Sequence, residues 1–188
     1  MKYKDEKNLI EKKIDGKIVY YEGFLELHKD KVLLPDGNSS TREFIHHPGA
    51  VAIIVIDGDD IYMEYQYRYP VGEVILEIPA GKLDKGEEIY SAALRELKEE
   101  TGICAKELIK IGEMYNSVGY SDEVIHFFVA KDFTNEERSL DDEEFIDVVK
   151  MPFNKVLEMV NNNEIKDSKT AFGIMLYDNL LRNGKISK

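Results

Sequence analysis

A chain of 188 residues is long enough to bury a sizeable core as one domain, with room for a small appended subdomain. Its 43% apolar and 33% charged residues are the proportions of a soluble globular protein and exclude a disordered one. With 25 basic against 37 acidic residues the formal charge is −12, which argues against a nucleic-acid polymer as partner, because affinity for one rests on neutralising phosphates with Lys and Arg. A small anionic substrate stays open, since a bound metal and a few arginines reverse the field locally. The single cysteine, Cys104, cannot form an internal disulfide and, with no His near it in sequence, reads as a small buried residue. No run approaches the ~18 consecutive apolar residues of a membrane span, and MKYKDEKNLIEKKI has no apolar stretch behind its charges. Neither membrane insertion nor secretion is expected, and the cytoplasm is the default.

In chain order, residues 1–15 read as a charged, mobile arm. KIVYYEGFLEL (17–27) and the following KVLLPDGNSSTREFIHH, with a turn at Pro35-Asp36-Gly37, predict two or three antiparallel strands. They precede the rest of the core, so residues 1–46 are expected as a small β-subdomain and 47–188 as the main domain. GAVAIIVI (49–56) is a continuous apolar run, the pattern of a strand buried on both faces. The turn Asp57-Gly58-Asp59-Asp60 leads back into a second strand, 61–67. After a loop at RYPVG, EVILEIPAG predicts a strand that runs straight into GKLDKGEEIYSAALRELKEETGI, residues 81–103. Strands over 108–115 and 123–130 flank the loop NSVGYSD, residues 132–144 form a long acidic loop, and 145–151 a last strand. Pro152 opens a helix with Val156, Leu157 and Val160 on one face, closed by Asn161-Asn162-Asn163. A final helix from Asp167 or Ser168 carries Phe172, Met175, Leu176 and Leu180 at helical spacing. Strands and helices interleaved in this way predict an α/β sandwich.

Residues 81–103 carry the chemistry. Asp84 followed by Glu87 has the spacing of a capping box at a helix start, and Gly102 suits a helix C-terminal cap. Ile89, Ala92, Ala93 and Leu97 form one apolar face. Glu96, Glu99 and Glu100 share the opposite face, where they repel one another. Arg95, four residues before Glu99, offsets part of that repulsion. The cluster makes most sense around a hard divalent cation, Mg²⁺ or Mn²⁺.

Gly81, Glu87, Arg95, Glu96, Glu99, Glu100 and Gly102 stand at the spacing G-x5-E-x7-R-E-U-x-E-E-x-G-U, where U is bulky and apolar, here Leu97 and Ile103. This is the whole of the Nudix box, and the chain resembles a Nudix hydrolase. The likeness extends over roughly residues 15–182 to the ADP-ribose pyrophosphatase branch, through REFIHHPGAVA, QYRYPVGEVILEIPAGKLDKGEE, SVGYSDEVIHFFVA, DDEEFIDVV and SKTAFGIMLY. The resemblance implies a Nudix-type α/β/α sandwich with a mixed sheet, plus a small N-terminal antiparallel β-sheet. It also implies Mg²⁺-dependent cleavage of ADP-ribose to AMP and ribose 5-phosphate, with Mn²⁺ as substitute. The implied assembly is a homodimer that exchanges N-terminal strands and clamps adenine partly with the partner subunit.

Carried onto this chain, the resemblance makes Glu96, Glu100 and the backbone carbonyl of Ala80 metal ligands, with Glu99 a third carboxylate acting directly or through water. Glu87 and Arg95 orient the loop and the helix. Arg68 contacts the diphosphate with forked hydrogen bonds, and Glu77 hydrogen-bonds the nucleotide. Phe24 and Arg42 are candidates for the adenine sandwich. Glu144 in EEFIDV matches the glutamate that orients or deprotonates the attacking water, with Glu143 the neighbouring alternative. Gly119 lies in the loop that reads the terminal ribose. There Ser117-Val118-Gly119 replaces the branch's S-P-G, which leaves open another ADP-sugar, NADH or a GDP-sugar as substrate. A Nudix-fold protein that senses ADP-ribose without cleaving it is a further alternative, disfavoured by the complete box. His126, alternating with apolar residues, reads as a core or supporting histidine, and His46 and His47 lack a third ligand for a metal role.

Overall fold

The computed structural model describes residues 6–140 and 144–187. They fall into two compact units, Met1–Pro48 with Tyr115–Glu123, and Gly49–Met114 with Val124–Lys188.

In the first unit a 3-10 turn at Glu6–Asn8 precedes β1 (Lys12–Glu22), β2 (Leu25–Leu33) and β3 (Ser39–His46), an antiparallel sheet in that order. The first strand begins inside the segment expected as a mobile arm, because Lys12 and Lys13 pair with Leu33 and Val32. All 11 residues of β1 are exposed, Ile18, Tyr20 and Tyr21 among them. Backbone pairing to β2, not side-chain burial, therefore holds this strand in place. Residues 115–123 join the unit through Ile45, whose N–H donates to the Tyr120 carbonyl (2.8 Å) and whose carbonyl accepts from Asp122 N–H (3.2 Å). The Asp122 carboxylate accepts from His47 N–H at 2.9 Å and lies 2.6 Å from His46 Nδ1, which raises the His46 pKa.

The second unit comprises β4 (Ala50–Asp57), β5 (Asp60–Arg68), β6 (Glu73–Glu77), β7 (Ala80–Lys82), α1 (Ile89–Thr101), β8 (Ile103–Tyr115), β9 (Val124–Asn135), β10 (Ile146–Pro152), α2 (Phe153–Asn161) and α3 (Ser168–Arg182). Its seven strands run in the order β10-β5-β4-β9-β8, with β6 on β5 and β7 on β4. The sheet is mixed, since β4 and β9 are parallel while β10 and β5 are antiparallel. Residues 50–55 of β4 are all buried, as the apolar run predicts. Val51, Ile53 and Val55 pack with Ala92, Ala93 and Leu97 of α1. Ala50, Ala52 and Ile54 pack with Phe153 and Val156 of α2 and Ile174 and Tyr177 of α3. The result is the α/β/α sandwich, each face of β4 covered by a different helical layer.

A split in this sheet positions the site. Strands β4 and β5 pair only beside their turn, at Ile56↔Ile61 and Asp57↔Asp60, and then part. Strand β6 continues along β5 and β7 along β4, so Ile78-Pro79 crosses the gap. The crossing is pinned on both sides: Ile53 N–H donates to the Pro79 carbonyl at 2.8 Å, and Ile78 N–H to buried Thr170 Oγ1 at 3.0 Å. Thr170 is set in turn by Asp167, the N-cap of α3, whose carboxylate accepts from Thr170 N–H at 3.0 Å.

Three local expectations change. Strand β9 runs on to Asn135, which shortens the acidic loop. The buried face of α3 is Thr170, Gly173, Ile174 and Tyr177, whereas Phe172 and Met175 are exposed. Close approach decides this register, because a Cβ at Gly173 would lie 3.0 Å from Ile78 Cδ1 and 3.2 Å from the Phe127 ring. Cys104 is only half-buried, next to Lys98 and Glu136 on the surface. Among the described residues no helix is long and apolar enough to cross a membrane.

Candidate active site

Helix α1 begins at Ile89, and its N-cap Glu88 makes no side-chain capping bond. The Asp84/Glu87 pair is thus not a helix cap but a lock on the preceding loop: Glu87 Oε2 accepts from Asp84 N–H at 3.0 Å. The same carboxylate is gripped by Arg95, whose Nε and Nη2 donate to Oε1 (3.0 Å) and Oε2 (2.9 Å). This fork lowers the Glu87 pKa and raises that of Arg95. Arg95 Nη1 also donates to Glu96 Oε1 and Glu99 Oε2, both at 2.9 Å, and Nη2 to the Lys82 carbonyl at 3.2 Å. One guanidinium therefore ties the loop, β7 and two of the helix carboxylates together. Helix α1 ends as expected at left-handed Gly102, φ 73°.

Glu96 and Glu100 face inward, 9% and 3% exposed. They meet β7 at its glycine: a Cβ built on Gly81 would stand 1.9 Å from Glu96 Cδ, so only glycine lets the backbone come so near the carboxylate. Glu100 Oε2 accepts from Ala80 N–H at 3.0 Å. Burial pushes Glu96 up to about 7 despite the opposing Arg95. Burial also raises Glu100 well above its usual range, and the charges of Glu64 and Glu96 add to the rise.

Glu64 and Lys169 lie in no recognisable motif but belong to this region. Glu64, in mid-β5, is 0% exposed, neither carboxylate oxygen has a hydrogen-bond partner among the described residues, and burial followed by the Glu77 charge raises its pKa to about 8. The sequence does carry a signal for it, since Glu64, Gln66 and Arg68 alternate along one face of the strand. Directly across the ladder, Glu77 is 1% exposed and fully engaged. Arg68 Nε and Nη2 donate to its two oxygens, each at 2.7 Å, and Lys169 from the first turn of α3 donates to Oε2. Arg68 and Glu77, predicted as substrate contacts, are thereby brought together as a forked pair.

Glu144 lines an open groove of about 630 Å³ with Tyr65, Tyr67, Val74, Arg138 and Phe145. Its charge adds, as the smallest of the named influences, to the raised pKa values of Glu64, Glu96 and Glu100. Glu143 lies outside the described residues. Phe24, Arg42 and Gly119 belong to the first unit. There Phe24 is half exposed with its ring edge-on to His47, and Arg42 is forked on Glu11. Gly119 follows exposed Val118 in the turn closed by Tyr120 N–H and Ser121 N–H on the Ser117 carbonyl. His46 and His47 pair with Asp122 and Glu123, and His126 Nδ1 lies 3.2 Å from Glu113.

Among the described residues no three acidic, His or Cys side chains already stand around one point as a ligand set. The chemistry of the cluster nevertheless fits a hard cation. Its donors are all oxygen, Glu96 sits at the Gly81 cradle with Glu100 on the neighbouring Ala80 N–H, and among the described residues neither oxygen of Glu64 has a hydrogen-bond partner.

A sheet split by an inserted glycine loop, followed by a helix that presents glutamates to it, defines a phosphate-ester or anhydride hydrolase scaffold of the Nudix type. Residues 46–171 match the NUDIX domain model, and the chain belongs to the Nudix family. It is 43% identical over 171 residues to the ADP-ribose pyrophosphatase of Bacillus subtilis (strain 168), covering 89% of this chain and 92% of that protein. It is 40% identical over 167 residues to the methanol dehydrogenase activator of Bacillus methanolicus, covering 87% and 90%. The GDP-mannose pyrophosphatase of Salmonella typhi is 42% identical over 102 residues, 52% of each chain. A crystal structure of an ADP compounds hydrolase shares the fold, with a TM-score of 0.81 at 21% identity over 93% of this chain and 95% of that one.

Proposed function

We propose that this protein hydrolyses the diphosphate bond of ADP-ribose to AMP and ribose 5-phosphate, using Mg²⁺, with Mn²⁺ as substitute. The observation that carries this reading is the set of buried carboxylates on α1 at the Gly81 loop, beside the Arg68 fork, in a chain 43% identical to an ADP-ribose pyrophosphatase along most of its length. The cation supplies charge neutralisation at the phosphate oxygens and an acidified water. The protein does the rest. Glu96, Glu100 and the Ala80 carbonyl hold the cation, with Glu99 as a further carboxylate, while Arg95 and Glu87 keep loop and helix in register. Arg68 spends two of its five N–H groups on Glu77 and turns the others to the diphosphate. Glu77, buried and with both oxygens taken, orients Arg68 and acts on the nucleotide through that arginine. Glu144, with Glu143 as the neighbouring candidate, positions the water and takes its proton. Gly119 contacts the terminal ribose, and Phe24 and Arg42 bind adenine once the Arg42–Glu11 pair opens.

The assembly we propose is a homodimer built through residues 1–46, with exchange of N-terminal strands. Strand β1 supports it: an edge strand whose 11 residues are all exposed, with apolar Ile14, Ile18, Tyr20 and Tyr21, is a natural surface for a second copy. A different nucleoside diphosphate substrate is the second reading, favoured by Val118 and by the likeness to a GDP-mannose pyrophosphatase.

A panel of ADP-ribose, another ADP-sugar, NADH and GDP-mannose with Mg²⁺, scored for released nucleoside monophosphate, tests this. ADP-ribose is expected to turn over fastest, with AMP and ribose 5-phosphate as products. Faster release from GDP-mannose or NADH supports the second reading. Binding of ADP-ribose with no turnover of any compound makes the protein a sensor rather than an enzyme.

A further inference from the structure

We infer that Glu64 is a further ligand of the divalent cation held by α1, reaching the site from β5, on the sheet side, opposite Glu96 and Glu100. The inference rests on the cation reading above and adds a residue to it. The alternation of β5 sets the direction of the side chain. Ile61 and Met63 belong to the cluster beneath α2 and α3, whereas Tyr62 packs with the cluster beneath α1, so Glu64 turns toward the α1 face.

Among the described residues no donor reaches Glu64, although the charges of Lys169 and Arg68 act on it. It is fully buried and both oxygens lack a donor. Its ladder neighbours offer none: Val148 on β10 is apolar, and Glu77 on β6 is already engaged by Arg68 and Lys169. A carboxyl buried without a hydrogen-bond partner is destabilising relative to an apolar residue of similar size. An interior strand position keeps such a group when something absent from the polypeptide completes it. The charges that act on Glu64 are those of Glu77, Lys169, Arg68 and Glu144, and its own charge acts on Glu100. Of the neighbouring charges acting on Glu100, that of Glu64 is the largest, ahead of Glu96 one helical turn away. Glu64, Glu96, Glu100 and the Ala80 carbonyl together make an all-oxygen set of the kind a hard cation takes, with water filling the rest of its shell.

The test is cation affinity, measured on the full chain by calorimetry for Mg²⁺ and by electron paramagnetic resonance of free Mn²⁺. The variants are Glu64→Gln, Glu64→Met and Glu100→Gln, each also melted in EDTA. Both Glu64 variants are expected to weaken cation binding about tenfold or more, while their melting temperatures in EDTA hold or rise because an unpartnered carboxyl is gone. Wild-type affinity in Glu64→Gln and Glu64→Met, with affinity lost in Glu100→Gln, overturns the role of Glu64 and leaves the α1 site standing. Wild-type affinity in Glu100→Gln overturns the α1 reading itself. Should Glu64→Met not fold, the isosteric Glu64→Gln decides alone.

Discussion

Two buried glutamates face each other across the β5–β6 ladder, Glu64 and Glu77, and the protein treats them in opposite ways. Around Glu77 the fold supplies a guanidinium fork and an ammonium, so the charge is neutralised by the chain itself. Glu64 receives burial and only the unbonded charges of Lys169 and Arg68, and Glu100 receives burial and the charges of other carboxylates, while of the buried helix carboxylates Arg95 reaches only Glu96. One end of the gap in the sheet is therefore electrostatically complete and the other is deficient in positive charge. The difference identifies which end is architecture that also presents an arginine, and which end is built for a cation. It also explains why one helix can carry Arg95 without closing the site: Arg95 satisfies Glu87, Glu96 and Glu99 but makes no bond to Glu100 or Glu64.

The sharpest way to break this contrast is to neutralise the deficient end. Glu100→Gln is expected to lower turnover by about 10³-fold or more, several kcal/mol of transition-state stabilisation, with the melting temperature in EDTA unchanged or higher. Steady-state kinetics with Mg²⁺ checks the first part and thermal melting the second. Retained turnover would mean that the α1 carboxylates are not the cation site. Glu144→Gln is expected to act next, slowing hydrolysis about 10²-fold or more with substrate binding kept, as for a group that handles the water rather than the cation. A larger loss in Glu143→Gln would transfer that role to the neighbour.

Much of this arrangement was legible in the sequence, and the parts that were not have a common cause. The box glycines and carboxylates are readable because their spacing on one helix and one loop fixes their geometry locally. The buried run of β4 is readable because both faces of one strand are covered. Glu64 and Lys169 escape because their importance comes from pairing across chain-distant elements: β5 against β6 in one case, α3 against β6 in the other. The register of α3 escapes for a similar reason, since the space between Ile78 and Phe127, not helical periodicity, selects Gly173 for the inner face. The Asp84/Glu87 pair shows the reverse limit. Its spacing matches a cap, yet Arg95, eight residues beyond Glu87, claims the carboxylate.

At the complete end of the gap the expected effect is on stability. Glu77→Gln leaves the Arg68 and Lys169 cations beside a neutral amide and is expected to cost on the order of 3 kcal/mol, read as a lowered midpoint in urea without cation. Glu64→Gln, its ladder neighbour, is expected to shift the same midpoint little or upward. Equal losses in the two variants would mean that Glu64 has a partner in the folded chain and that the contrast between the two glutamates is false.

The smallest effect is a dependence of cation-free stability on pH, and its sign follows from the raised carboxyls. Burial pushes Glu96 up to about 7 and Glu64 up to about 8 in the folded protein, from an ordinary value of 4.5. Between 4.5 and those values the folded chain keeps protons that the unfolded chain has released. Stability contributed by these groups is thus complete below 4.5, falls as pH rises, and is gone above about 8. Each group contributes a slope of at most about 1.4 kcal/mol per pH unit. Melting curves in EDTA from pH 5 to 8 should therefore decline, and saturating Mg²⁺ should flatten them by holding the carboxylates ionised. Glu64→Gln should remove part of the decline, whereas Glu77→Gln should move its upper end to lower pH without abolishing it, because the Glu77 charge only adds to the rise that burial causes at Glu64. A slope that vanishes in Glu77→Gln and survives in Glu64→Gln would reverse the assignment of the two ends.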